Sequence, residues 1–201
     1  MPRTHDEVPE SLAALECETI HRGLETVDGM AKEARIEILA AEPIPPGRFL
    51  IVVGGIVGEV EAAYRRGVAL AGPLHDRLFL PEIAPGVVLA LRPGAREGTV
   101  DSLGLFETAS AGAALDGADR GLKGASVRLL QIHLTRGIAG KAFGVFEGRQ
   151  DMVEAALAFA RERGQAHGRW VGSTLLARPD ADLVARVLAA RWGFLEGAEI
   201  L

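Results

Sequence analysis

The chain has 201 residues, 48% of them apolar and 24% charged, with a formal net charge of −5; this is the profile of a globular protein with room for one large or two small domains. The acidic balance offers no overall basic field for nucleic acid or an anionic membrane, and the longest apolar stretch, "FLIVVGGIV" (49–57), is far shorter than the roughly 20 residues that span a bilayer. The polar start "MPRTHDEVPES" has no signal-peptide core, and a single cysteine, Cys17, excludes an intramolecular disulfide and points to a reducing cytosol.

In chain order, residues 1–11 read as a disordered extension. A short apolar strand is expected over 12–18 and a helix over 20–34, where Leu24, Val27 and Met30 recur at spacings of three to four. A strand (36–42), a Gly/Pro loop (43–48) and a second strand (49–54) follow. The next helix (57–71) places Val60, Ala63, Val68 and Ala69 largely on one side, and a strand over 77–83 closes the unit. After "RPGAREGTVD" (92–101), which has a linker's composition, the order returns: strand 102–108, helix 110–125, strand 127–134, loop 135–141, strand 142–147, helix 150–164 and strand 169–176. A further helix over 180–196 is expected in the second unit only, packed on the outside of that unit. The plan is β-α-β-β-α-β used twice, an α+β class with ferredoxin-like antiparallel sheets and helices on one face, in domains 12–91 and 102–201.

The repetition is visible residue by residue. At an offset of 91, Glu16 falls on Glu107, Asp28 on Asp119, Lys32 on Lys123 and Leu39 on Leu130. At 93, Gly47, Gly55, Val60 and Ala63 fall on Gly140, Gly148, Val153 and Ala156. Arg77 and Pro85 match Arg169 and Pro179 at offsets of 92 and 94.

Chemistry is harder to find. "LTRGIAGKAF" (134–143) carries a Gly-Lys pair, but a Walker A loop would need glycine where Thr135 stands and a hydroxyl where Ala142 stands. His5, His21, His75, His133 and His167 are scattered without metal-ligand spacing. Cys17 reads as a buried inert thiol. Glu16 and Glu107 could do acid–base work, though the plainer reading has each accept hydrogen bonds where its strand passes to a helix. Arg65, Arg66, Glu154 and Arg161 read as solvated faces. "PIPPGRF" (43–49) and "RGIAGKAF" (136–143) occupy equivalent places as hairpin tips, and each has a base straight after the shared glycine, Arg48 or Lys141.

Four segments in order, in large part twice over, resemble the bacterial microcompartment shell proteins of the tandem-domain class: "VDGMAK" and "ADRGLK"; "EPIPPGRF" and "TRGIAGKAF"; "VGGIVGEVEAA" and "FEGRQDMVEAA"; and "LLARPDADL". The match runs from residue 12 to about 186, in an unpermuted, single-layer order. The resemblance implies a homotrimer mimicking a hexamer, which joins hexamer and pentamer tiles in a shell in the bacterial cytoplasm. Small polar metabolites would cross its centre, and the tile would be neither an enzyme nor a cofactor carrier. By position it implies a pore lined by Pro45, Pro46, Gly47, Arg48, Gly137, Ile138, Ala139, Gly140 and Lys141. Tile edges would use Lys32, Lys123 and Arg178, with Ala84 standing where the first copy's arginine should be. Some tandem members hold an iron–sulfur cluster on a pore-loop cysteine, which both loops lack. Backbone N–H groups, Arg48 and Lys141 would favour small anions. The alternative is a trimeric ferredoxin-like regulatory protein whose loops clamp a small ligand.

Overall fold

The computed structural model describes residues 8–91 and 100–189. The first half contains β1 (Ser11–Cys17), α1 (Ile20–Glu33), β2 (Glu37–Ile44), β3 (Arg48–Gly55), α2 (Val57–Ala71), β4 (Leu74–Leu80) and α3 (Pro85–Leu91). The second contains β5 (Ser102–Thr108), α4 (Ala111–Gly124), β6 (Arg128–Leu134), β7 (Ala142–Gly148), α5 (Gln150–Ala166), β8 (Trp170–Ala177) and α6 (Ala181–Ala189). Each half forms a four-stranded sheet, ordered β2-β3-β1-β4 and β6-β7-β5-β8, with every pair antiparallel. This is the ferredoxin-like arrangement expected. All seven residues of β1 are buried, as an apolar strand covered on both faces should be.

The duplication extends to the irregularities. The β1–β4 register slips between Glu16 and Cys17, and the β5–β8 register slips between Glu107 and Thr108. The β2–β3 and β6–β7 slips, at Ile38/Ala40 and Leu129/Gln131, are also equivalent. A bulge re-aims the side chains beside it, so the two halves aim theirs alike.

Several boundaries move. The expected extension 1–11 ends earlier: Ser11 already belongs to β1, Pro9 is buried and the Glu10 carbonyl accepts from the Ile83 N–H at 2.9 Å. The first closing strand is Leu74–Leu80 rather than 77–83, because the chain turns at Gly72 (φ 71°) and enters the sheet at once. A third helix exists in both halves. The first, α3, escapes a periodicity search because its sequence, PGVVLAL, has no polar residue: Val87, Val88, Ala90 and Leu91 are buried, and the exposed Leu89 is apolar as well, so no polar stripe marks it. The second, α6, packs Val184, Val187 and Leu188 against Leu103, Leu130 and Val145 of its own sheet, on the outside of its unit as expected. The rest of 180–196, most of the linker 92–101 and His5 lie outside the described residues.

The last strands align differently from the sequence match. Leu15 faces Arg77 across the sheet, while its equivalent Phe106 faces Ser173; Glu16 faces Asp76, while Glu107 faces Gly172. Arg77 therefore corresponds to Ser173, not to Arg169. The slip arises because α5 has 17 residues and α2 has 15, followed by a longer turn. Arg178 shifts as well. Its N–H donates to the Asp101 carbonyl as Ile83's donates to Glu10's, so its counterpart is Ile83 rather than Ala84.

The halves share one core. A single buried cluster joins Leu78, Leu80 and Val87 of the first to Ala111, Leu115 and Phe146 of the second.

Candidate pore loops and the seam between the halves

The two hairpin tips lie side by side. Residues 45–47 form the first, a turn closed by the Gly47 N–H on the Ile44 carbonyl at 3.0 Å, with a cis Pro45–Pro46 bond. Residues 135–141 form the second, in which Thr135, Gly137, Ala139 and Gly140 all take positive φ. A Cβ on Gly140 would lie 3.0 Å from the Pro45 carbonyl oxygen and 3.6 Å from the Arg48 guanidinium. Arg136 of the second tip is ion-paired with Glu42 on the strand leading to the first. Pro45, Pro46, Gly47 and Arg48 thus stand against the tip that carries Gly137, Ile138, Ala139, Gly140 and Lys141.

The basic residue beside each tip folds back onto its own half. Arg48, with a side chain only 18% exposed, stands 3.4 Å from Glu18 and 4.0 Å from Glu16. Lys141 stands 2.8 Å from Glu107. The repeated glutamate and the repeated base are therefore partners, although the sequence presented them as separate features.

Glu16 and Glu107 nevertheless do different things. Glu16 is 1% exposed and accepts from the Ala111 N–H, at the start of the other half's helix rather than its own. Burial pushes its carboxyl up to about 7, against the opposing pull of that N–H. Among the described residues Glu107 accepts from no backbone N–H and pairs with Lys141 alone.

Around Glu16 the halves meet in a polar network. Ser110 caps α4, with its Oγ accepting from the Ala113 N–H at 3.2 Å while its hydroxyl donates to Asp76. His167, at the C-terminus of α5, reaches Asp116 at 2.9 Å and Asp76 at 3.4 Å. Those two hydrogen bonds lift its imidazole to about 9, so it is the cation between two carboxylates. Arg163 completes the group at 2.7 Å from Asp116. Burial would raise Asp76 and Asp116, but their hydrogen bonds to His167 prevail and hold both below the ordinary carboxylate value. His75 contacts the Ala109 carbonyl at 3.3 Å, and burial lowers its pKa. The charges at 75–77 and 163–169 gave no sequence signal because their partners lie on other elements.

The expected edge residues separate. Lys32 is 74% exposed and, among the described residues, pairs only with Asp28, at 2.6 Å. Its equivalent Lys123 pairs with Asp119 at 2.7 Å and also donates to the Glu82 carbonyl, while Asp119 accepts from the Ala84 N–H at 2.8 Å. The second pair clasps the first half's 82–84 turn; the first pair clasps no other element among the described residues. Arg178 is exposed in the corresponding turn of the second half.

The residues present do not suit a thiolate-ligated cluster. Cys17 is fully buried in the helix-side core, and burial pushes its thiol up to about 11. No trio of His, Cys, Asp or Glu side chains poised for a metal occurs among the described residues.

This geometry has relatives. The BMC domain family model matches residues 11–83 and 102–179, so the chain belongs to the BMC domain family and carries the domain twice. Bacterial microcompartment shell protein PduT of Citrobacter freundii is 34% identical over 171 residues, which cover 85% of this chain and 93% of that protein. The crystal structure of a microcompartment protein from Desulfitobacterium hafniense DCB superposes with a TM-score of 0.79 at 28% identity, covering 87% of this chain and 98% of that one. The fused permuted hexameric shell protein MSM0275 from the RMM microcompartment shares the fold, with a TM-score of 0.56 at 17% identity over 82% of this chain and 84% of its own.

Proposed function

We propose that the chain is a structural tile of a bacterial microcompartment shell in the bacterial cytoplasm, and not an enzyme. Three copies close into a pseudohexamer, and the tips at 45–47 and 135–141 frame its central opening. The family membership and the similarity to a named shell protein over most of both chains support the shell role.

The observation that carries the ring is a face that is covered in one half and bare in the other. Ala111 and Leu115 on α4 are 0% exposed against the first half, yet their equivalents on α1, Ile20 and Leu24, are 41% and 58% exposed. The opposite face repeats the mismatch: Leu80 of β4 is 8% exposed, whereas Leu176 of β8 is 39% exposed. Helix α4 begins under Ser110 and Glu16, while α1 begins with no side-chain cap. A neighbouring copy supplies what is missing: its β8 and Glu107 meet α1 as β4 and Glu16 meet α4. Such a head-to-tail contact closes when rotation permits, and six equivalent units close at three chains.

In that ring Pro45, Pro46, Gly47, Gly137, Ile138, Ala139 and Gly140 line the opening, and small polar metabolites pass it. Because Arg48 and Lys141 are matched by Glu18 and Glu107, width and backbone dipoles select among solutes more than net charge does. Lys32, Lys123 and Arg178 lie where tiles and subunits meet, and hexamer and pentamer tiles are the partners at the outer edge.

Light scattering on the purified protein tests the ring. The expected mass is about 64 kDa, three chains of 21.2 kDa, and Leu24→Glu should leave a folded monomer. A parent that stays monomeric at high concentration would refute the ring. Flat arrays in negative-stain micrographs test the tile.

A further inference from the structure

Beside the seam lies an open cleft of about 430 Å³ lined mainly by His75, Asp76, Arg77, His167, Arg169 and Val68. Its volume falls within the ordinary range for small-molecule sites. No tip residue lines it, although His75 lies 3.5 Å from Glu18, the partner of Arg48, and no function assigned so far uses it.

Most of the polar groups there already have partners. Asp76 accepts from Ser110, His167 and the Arg77 N–H. Both ring nitrogens of His167 are engaged by carboxylates. Two guanidiniums remain. Arg169 uses one N–H on the His75 carbonyl at 2.6 Å, leaving the rest of its five donors. Arg77 is exposed and its side chain has no ion-pair partner among the described residues. Counting protonated His167, the lining carries three positive groups against one carboxylate. Val68 and Leu74 supply an apolar wall.

From this we infer that the cleft binds a small metabolite through an oxyanion group, phosphate or carboxylate, held between Arg77 and Arg169. Planar guanidinium forks match such groups with two parallel hydrogen bonds, and the carbon portion of the ligand lies along Val68 and Leu74. The site forms within one chain, so it does not rest on the pore and would survive failure of the ring.

Isothermal titration of the full-length protein at pH 7, with inorganic phosphate and separately with succinate, tests this. Potassium chloride at matched ionic strength is the control. Saturable binding of either probe, weakened at least tenfold by Arg77→Gln and unaffected by Arg65→Gln on the exposed face of α2, is expected. Phosphate alone saturating identifies a phosphorylated ligand; succinate alone identifies a carboxylate; both identify a general oxyanion site. Heat indistinguishable from the chloride control for both probes overturns the inference, as does binding that Arg77→Gln leaves unchanged. Arg77 is exposed and its side chain has no ion-pair or hydrogen-bond partner among the described residues, so this variant is expected to fold.

Discussion

Glu16 in the first half accepts a hydrogen bond from the backbone of Ala111, 95 residues further along the chain. A buried carboxyl thus stands over the first turn of a helix that belongs to the other domain. The contact couples seam stability to protonation. Because burial holds Glu16 near 7 rather than the ordinary 4.5, the protonated acid suits the fold better than the carboxylate. That contribution is complete below about 4.5 and is lost as the pH rises through about 7. Melting temperature should therefore decline over that window, and Glu16→Gln should flatten the decline. A parallel pH profile for parent and variant would refute the assignment.

His167 extends the dependence upward. Its pKa is raised from 6.5 to about 9, so its contribution is complete below 6.5 and lost as the pH passes 9. His167→Gln should cost a few kcal/mol near neutrality, because Asp76 and Asp116 would lose the cation between them. The cost should fade above pH 9. Thermal denaturation from pH 6 to pH 10 separates this outcome from a simple packing defect, which would persist at every pH.

Glu107 should act between chains rather than within one. Glu107→Gln removes a charged acceptor for an uncapped helix start, worth roughly 0.5–2 kcal/mol per contact. On the proposed ring, dissociation followed by light scattering on dilution should shift to higher protein concentration. Chemical denaturation of the dissociated chain should change little.

Gly140 has φ 82°, and a Cβ there would stand 3.0 Å from the Pro45 carbonyl oxygen, so the first tip would have to shift to admit a side chain. Gly140→Val should lower stability by roughly 1–3 kcal/mol through backbone strain and displacement of the first tip. For a chain of this size that is a fall of several degrees in melting temperature. Small-solute permeability of shells containing the variant should change with it.

Lys32 and Lys123 occupy the same sequence position yet should behave differently. Lys123→Ala removes a clasp on the 82–84 turn and should destabilise the single chain. Lys32→Ala removes only an exposed i,i+4 pair, worth a few tenths of a kcal/mol, and should instead weaken association. Denaturation and array formation measured side by side distinguish the two.

Much of this was legible in the sequence. The doubled β-α-β-β-α-β order, both hairpin tips and the outward placement of α6 follow from periodicity, Gly/Pro content and the repeat itself. The structure corrected what depends on neighbours. Leu24 looked like core because it falls at helical spacing with Val27 and Met30, but its face is solvent-exposed in the single chain. Helix α3 has no polar side to betray it. The Arg77–Arg169 match misled because the longer α5 shifts the following strand by more than the gap a sequence comparison tolerates. The His167–Asp76–Asp116 group could not be read at all, since its members come from three elements and Asp76 joins the other two only by the docking of the halves.

That longer α5 has a further consequence. Where Asp76 receives His167, its counterpart Gly172 has no carboxylate to offer. In the ring proposed above, the three joints inside chains and the three between chains would therefore be chemically unlike, alternating around the centre.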